Sequence, residues 1–178
     1  MDKKDWTGNT QSVMATLNAS CHTENKRAKQ DYYATPPKAV TELLNRENFS
    51  DVWEPACGEG HISEVLVNHN IHFLSSDVVN RGYGLVEDFL NTNRTHSGDI
   101  ITNPPFSKST EFTFRAMRLL EKGRKLAMLL RIQFLESKKR KVLFAEFPPK
   151  YVYVNSSRQL CAMDGKFEEY KATALCYC

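Results

Sequence analysis

Short apolar runs rich in β-formers alternate with helical stretches along most of the chain, and this alternation limits the fold more than any other feature of the sequence. Strands are predicted at residues 50–53, 70–76, 83–86, 99–102, 125–131, 151–155 and 172–177. Helices are predicted after Thr35 and its two prolines, around Ile62 to Leu66, over residues 107–122 and over residues 137–146. Such alternation favours an α/β fold with a doubly wound sheet, here of about seven strands.

The totals for the chain are those of an ordinary globular protein. Of its 178 residues, 41% are hydrophobic and 25% are charged. Residues 31–178 are predicted to form a single folded domain without an internal linker. Residues 1–30 are polar and weakly patterned, which predicts a flexible N-terminal arm, with a disordered tail as the equal alternative.

The same totals argue against several classes of protein. The apolar stretches are too short to span a membrane and the N-terminus lacks a signal sequence, so we expect a cytoplasmic protein without a membrane partner. The five cysteines show no Cys-x-x-Cys spacing, and the sequence predicts no metal site. A net charge of +3 permits a nucleic-acid partner without requiring one.

One tetrapeptide, Asn103-Pro104-Pro105-Phe106, follows the predicted strand at residues 99–102. The two prolines fix φ, remove two backbone donors and keep Asn103 out of helical geometry. The result is a stiff segment that presents one amide, free carbonyl groups and one aromatic ring. This inventory suits the binding of a planar group that carries an exocyclic NH2.

A glycine loop follows the first predicted strand of the alternating region. Gly58 and Gly60 allow a tight turn before a helix, but position 63 is serine, where a dinucleotide fingerprint would have a third glycine. Glu54 in this loop would repel a pyrophosphate and fits a ligand with a cationic amine better. A lone Gly-x-Gly turn is more often structural, so this loop is weak evidence when taken alone.

Acidic residues follow the next two predicted strands. Asp77 stands where nucleotide-binding sheets hold ribose hydroxyls, with a turn cap as the alternative. Asp88 and Phe89 are suited to an adenine, although each is more often structural when taken singly. Since these acids, the glycine loop and Asn103 each follow a successive strand, they indicate one ligand site at the carboxyl edge of the sheet.

Residues 31–178 resemble the class I S-adenosylmethionine-dependent methyltransferases, and most closely the small phage-type DNA adenine-N6 methyltransferases, with the motif order of the gamma group. Asn103-Pro104-Pro105-Phe106 matches the catalytic motif of that family. The resemblance implies a seven-stranded sheet whose last strand is antiparallel, and a catalytic domain with no separate target-recognition domain. It implies these residues around the cofactor S-adenosylmethionine: Tyr33, Thr35, Glu54, Ala56, Gly58, Gly60, Asp77, Val78, Asp88 and Phe89.

The resemblance also implies a mechanism. Asn103 and the carbonyl group of Pro104 would accept the two hydrogens of adenine N6, so that the nitrogen lone pair points at the methyl donor. Catalysis would then depend on positioning and charge placement. The base must leave the helical stack, and Phe106 would pack on its face, with a plain core aromatic as the alternative.

DNA is the predicted partner. Four basic residues are candidates for phosphate contacts, with a solvated helix face as the commoner alternative for the last three: Lys108, Lys138, Lys139 and Arg140. Without a recognition module, target choice would depend on loops and the N-terminal arm, on a partner subunit or on a homodimer.

Two other functions remain open. The same motif occurs in enzymes that methylate other planar amino groups, namely guanine N2 or adenine N6 in RNA, or a protein glutamine amide. The second alternative is an inactive subunit that binds nucleic acid through this fold, which the intact tetrapeptide and glycine loop disfavour.

Overall fold

The structure is a computed structural model that describes residues 32–155, 159–163, 166–173 and 175–177. The arm predicted at residues 1–30 lies outside the described residues. The strands are β1 (Tyr33–Ala34), β2 (Val52–Glu54), β3 (Phe73–Asp77), β4 (Leu85–Val86), β5 (Ile100–Thr102), β6 (Leu126–Arg131), β7 (Tyr153–Val154), β8 (Gln159–Met163), β9 (Lys166–Thr173) and β10 (Leu175–Tyr177). The helices are α1 (Pro37–Leu44), α2 (His61–Asn68), α3 (Ser109–Leu119) and α4 (Lys141–Glu146).

Seven strands form one sheet in the order β4-β3-β2-β5-β6-β10-β7. The pairs from β4 to β6 are all parallel, whereas β10 is antiparallel to both β6 and β7. The prediction of a mostly parallel, doubly wound sheet whose last strand is antiparallel is therefore confirmed.

Helices cover both faces of this sheet, and each face has its own hydrophobic core. On one face, α1 and α2 contribute buried side chains such as Val40 and Leu66. On the other face, α3 and α4 contribute Phe112 and Leu143, which belong to the same buried cluster as Trp53 of β2. Because the central strands are buried on both sides, their side chains are apolar in continuous runs and not in alternation.

A second, three-stranded sheet of order β1-β8-β9 was not predicted. In it, β8 pairs antiparallel with both β1 and β9. Residues 172–177, predicted as one strand, are divided between the end of β9 and β10, which belong to different sheets. The two-residue β1 and the charged sequence of β9 carry no apolar pattern that could have revealed this sheet.

Two predicted helices are preceded by 3-10 turns. The segment predicted at 107–122 begins with a 3-10 turn at Phe106–Lys108 and ends as a helix at Leu119. The segment predicted at 137–146 contains a 3-10 turn at Lys138–Arg140 before α4. Within the described residues, no helix combines the length and the apolar character that crossing a membrane would require.

Candidate active site

An open cleft lies at the carboxyl ends of β2, β3 and β5. This is the edge where ligands bind in open α/β sheets. Most of the predicted site residues line it: Tyr33, Thr35, Glu54, Ala56, Asp77, Val78, Asn103, Pro104, Pro105 and Phe106. Residues far apart in the sequence thus line the same cleft.

The side-chain amide of Asn103 has a fixed orientation. Its Nδ2 group donates hydrogen bonds of 3.0 Å to the carbonyl oxygen of Tyr33 and of 3.0 Å to Oγ1 of Thr35. Since both partners accept, the nitrogen must face them and Oδ1 must point away. Oδ1 is buried and has no hydrogen-bond partner among the described residues. An unpaired buried acceptor is costly, so its presence in a cleft points to a ligand that donates.

The two prolines carry the chain from β5 into the 3-10 turn. The carbonyl of Pro105 accepts a hydrogen bond of 2.8 Å from the backbone N–H of Lys108, which closes that turn. Across the part of the chain that is described, the carbonyl of Pro104 accepts no backbone hydrogen bond outside helices and strands. The segment therefore offers two acceptors in succession, Oδ1 of Asn103 and the carbonyl of Pro104.

The ring of Phe106 lies at the mouth of the cleft between two other side chains. Its centroid is 5.6 Å from that of Tyr33, and the two planes differ by 26°. The guanidinium carbon of Arg131, at the end of β6, lies 4.4 Å from the same centroid. Phe106 is half-buried, and it packs in part against the hydrophobic core on the α1 and α2 side of the sheet.

The glycine loop is held to β3 through Asp77. One carboxylate oxygen of Asp77 accepts from the backbone N–H of Gly58 at 2.9 Å, and the other accepts from that of Val79 at 2.8 Å. Gly58 has φ +56°, and a Cβ there would lie 2.3 Å from the ring of Tyr32. Both the backbone conformation and the close ring require glycine at this position. Gly58 and Gly60 thus shape the loop, whereas the cleft itself is lined by their neighbours.

Glu54 is a buried carboxyl group in the floor of the cleft, with a fractional exposure of 1%. Burial, with a smaller contribution from the negative charge of Asp77, raises its pKa to about 8, although the hydrogen bond from Ser63 favours the ionised form. Ser63 donates a hydrogen bond to Oε2 of Glu54 and contacts Oγ of Ser75 at 2.6 Å. Glu54 is therefore mostly neutral at pH 7 in the ligand-free protein, and a cationic ligand group would favour its ionised form.

Tyr32 and Arg81 line the same cleft and were not predicted. The hydroxyl of Tyr32 accepts a hydrogen bond of 3.2 Å from the backbone N–H of Glu59, and burial raises its pKa to about 12. The guanidinium carbon of Arg81 lies 4.2 Å from the centroid of the Tyr32 ring. The adjacent Tyr33 was a signal that could have found Tyr32, whereas Arg81 lies in a loop whose sequence carries no motif.

Asp88 and Phe89, predicted to contact the cofactor, do not line this cleft. Asp88 accepts hydrogen bonds from the backbone N–H of Leu90 at 2.9 Å and from Nδ2 of Asn91 at 2.6 Å, so it caps a turn. The ring of Phe89 is 1% exposed and contacts Trp53, with centroids 5.1 Å apart, in the hydrophobic core. In this structure both residues therefore have structural roles, which is the alternative that the sequence left open for each of them.

The basic residues predicted to contact nucleic acid also lie outside the cleft. Lys108 is exposed and lies 3.6 Å from a carboxylate oxygen of Glu111. Lys138 and Lys139 are exposed on a 3-10 turn. Arg140 donates to the backbone carbonyl groups of Gln133, at 2.9 Å, and of Phe134, and so holds the preceding turn together.

No cluster of His, Cys, Asp and Glu side chains suited to a metal ion occurs among the described residues.

Comparisons with known proteins identify the fold. No protein-family model and no curated protein match the chain. Among solved structures, a candidate RNA methyltransferase of Pyrococcus horikoshii is similar, with a TM-score of 0.61 and 13% identity over 96% of each chain. The 23S rRNA methyltransferase ErmE gives a TM-score of 0.58 and 11% identity, over 82% of this chain and 68% of its own.

A dimethyladenosine transferase of Plasmodium falciparum is also similar, with a TM-score of 0.55 and 14% identity over 82% of this chain and 61% of that one. At these identities the likeness concerns the fold. The chain has the Rossmann-like fold of the class I methyltransferases.

Proposed function

We propose that this protein is an S-adenosylmethionine-dependent methyltransferase that acts on the N6 amino group of adenine in DNA. The observation that carries the proposal is the unpaired Oδ1 of Asn103, buried in a cleft and held in orientation by Tyr33 and Thr35. An acceptor fixed in this way is prepared for a hydrogen-bond donor such as an aromatic amino group.

The cleft suits the cofactor as well as the acceptor. S-adenosylmethionine would supply a methyl group bound to a sulfonium sulfur, and its methionine moiety carries a cationic amino group. Glu54 is suited to that amino group, because a buried carboxyl group ionises readily only beside a positive charge. Asp77 is suited to the ribose, since each of its oxygens accepts one backbone hydrogen bond and retains capacity for a hydroxyl group.

The protein's contribution to catalysis would be positioning. If Oδ1 of Asn103 and the carbonyl of Pro104 accept the two hydrogens of N6, the nitrogen lone pair is withdrawn from the aromatic system and becomes nucleophilic. A base that lies between these acceptors and the ring of Phe106 has its amino group held in one place. Transfer would break the bond between the methyl group and sulfur, leave S-adenosylhomocysteine and make the N6 nitrogen acidic, so its extra proton could pass to water and no strong base is needed.

The assignment to adenine in DNA is supported by the resemblance of the Asn-Pro-Pro-Phe motif to the catalytic motif of DNA adenine-N6 methyltransferases. The order of the motifs along the chain, which is that of the gamma group, supports it as well. The exposed Lys138 and Lys139 are proposed to contact DNA phosphates. The target base must be flipped out of the helix to reach the cleft. We also propose a partner subunit or a homodimer as the source of target recognition.

The test is a methyl-transfer assay with labelled S-adenosylmethionine and unmethylated duplex DNA, RNA or protein as acceptor. We expect label in DNA, recovered as N6-methyladenine after digestion. Asn103→Ala should reduce transfer by about 100-fold or more, as removal of a fixed polar group in an active site does, and leave cofactor affinity unchanged. Label found only in RNA or protein would refute the assignment to DNA, and unchanged turnover by Asn103→Ala would refute the mechanism.

A further inference from the structure

Arg131 ends β6 beside the catalytic tetrapeptide. We propose that its guanidinium group occupies the stacking surface of Phe106 in the ligand-free protein, and that the flipped adenine displaces it onto the adjacent DNA phosphate. This inference rests on the proposed function, because it concerns the same acceptor base. It assigns to Arg131 a role in binding that the family resemblance did not indicate.

The position of Arg131 follows from the register of the central sheet. Thr102, the last residue of β5, is opposite Met128 of β6, so Arg131 lies three residues further toward the carboxyl edge. Asn103 to Phe106 leave β5 at that same edge. The guanidinium carbon therefore reaches the Phe106 ring and lies 4.4 Å from its centroid.

Arg131 is exposed, and no side chain that the structure describes forms an ion pair or a hydrogen bond with its guanidinium group. Other cations near the cleft are engaged differently. Lys108 lies near Glu111, Arg81 lies over Tyr32, and Arg140 binds backbone carbonyl groups.

A guanidinium group and a nucleobase compete for the same kind of surface. Both are planar and delocalised, and both stack on aromatic faces. Tyr33 already packs against Phe106 with centroids 5.6 Å apart, which limits the ring surface that remains. A base held by Asn103 and stacked on Phe106 would therefore take the place of the guanidinium group.

The displaced group has a partner available. A nucleotide that enters the cleft brings its flanking phosphates to the mouth, where Arg131 is exposed. Arginine binds phosphate through two parallel hydrogen bonds, which a lysine cannot reproduce. The contact of Arg131 with a phosphate thus replaces its contact with Phe106. This exchange requires an acceptor with an anionic backbone, which DNA has and a protein glutamine lacks.

The experiment compares wild type with Arg131→Gln and Arg131→Lys, and uses Arg124→Gln as a matched change of charge at the amino end of β6. Two probes are used, a fluorescent single-stranded oligodeoxynucleotide rich in adenine and free deoxyadenosine, which has no phosphate. Both are measured by binding in the presence of S-adenosylhomocysteine, over a range of salt concentrations.

Arg131→Gln should weaken oligonucleotide binding and lower the slope of log Kd against log salt by about 0.7, the value for one phosphate contact on a single strand. The same variant should bind deoxyadenosine about 2- to 5-fold more tightly, because the stacking competitor is gone. Arg131→Lys should keep the salt slope yet recover only part of the oligonucleotide affinity. Arg124→Gln should leave both affinities as in wild type.

Opposite effects on the two probes cannot come from a merely structural role, which would weaken both. An unchanged salt slope in Arg131→Gln overturns the phosphate contact. A deoxyadenosine affinity no higher than that of wild type overturns the displacement. Since neither readout needs methyl transfer, a wild type that shows the Arg131-dependent slope but methylates no DNA would refute the proposed function, whereas a protein that methylates DNA but lacks either readout would refute this inference alone.

Discussion

Raising the pH from 6 to 9 tests whether Glu54 holds the cationic end of the cofactor. Its carboxyl group has a pKa raised from 4.5 to about 8 by burial. At pH 7 only about a tenth of this group is ionised in the ligand-free protein, and ionising it for a cationic ligand costs about 1.4 kcal/mol. Cofactor affinity should therefore rise about tenfold per pH unit between pH 6 and 7.

The profile should level off near pH 8, since α-amino groups begin to lose their charge at about that pH. Glu54→Gln should abolish the rise and weaken binding near pH 8 by about 10- to 100-fold, which corresponds to the loss of a hydrogen bond between charged groups. Near pH 6 the variant and wild type should converge.

The assay is calorimetric titration with S-adenosylmethionine and with S-adenosylhomocysteine, which shares the amino group and lacks the sulfonium. The rise should be the same for both ligands. His61→Gln serves as a control, because His61 also lines the cleft. A rise that persists in Glu54→Gln, or that vanishes in His61→Gln, would refute the role of Glu54.

The same pKa has a consequence for stability. The unfolded chain, in which the carboxyl group has its ordinary pKa of 4.5, releases this proton first as the pH rises. The free energy of unfolding of the ligand-free protein should therefore fall between about pH 4.5 and 8, by about 1.4 kcal/mol per unit from this group. Denaturant unfolding of Glu54→Gln should lack that part of the decline.

Thr35→Val removes one of the two acceptors that orient the amide of Asn103, so turnover should fall about 5- to 10-fold, the equivalent of one hydrogen bond. Thr35→Ser should restore it; equal turnover by Thr35→Val would contradict the orienting role. Gly58→Ala should lower the free energy of unfolding by more than Gly82→Ala. Both glycines have positive φ, but only a Cβ at Gly58 meets a neighbour, the ring of Tyr32. Denaturant unfolding measures both, and equal losses would show that the contact with Tyr32 is unimportant.

The central sheet was predictable because its strands are buried on both faces and their sequences show it. β6 reads Leu-Ala-Met-Leu-Leu-Arg, and four consecutive residues, Ala127 to Leu130, are buried. The site was predictable where a residue has to stand at the end of such a strand. Glu54, Asp77 and Asn103 meet in one cleft because parallel strands end at one edge.

The burial of Phe89 in the core could not be predicted from the sequence. An aromatic residue after a strand fits a ligand and a core equally well in the sequence, and only packing decides between them. The edge-to-face contact with Trp53 and the contact with Phe112, at 5.0 Å between centroids, place the ring in the core. The contact of Arg131 could not be predicted either, because its stacking partner, Phe106, lies 25 positions away in the sequence.

The second sheet changes how the proposed catalytic amide is understood. Tyr33 and Ala34 pair with Met163 and Ala162 of β8, so the backbone that accepts from Asn103 belongs to a sheet and not to a free loop. A carbonyl group fixed by strand pairing can fix the amide that donates to it. The orientation of Oδ1 therefore depends on three parts of the chain at once, namely β1, the end of β5 and β8. If the hydrogen bonds to N6 are the source of catalysis, changes in β8 that disturb its pairing with β1 should slow methyl transfer, as measured by turnover with labelled S-adenosylmethionine.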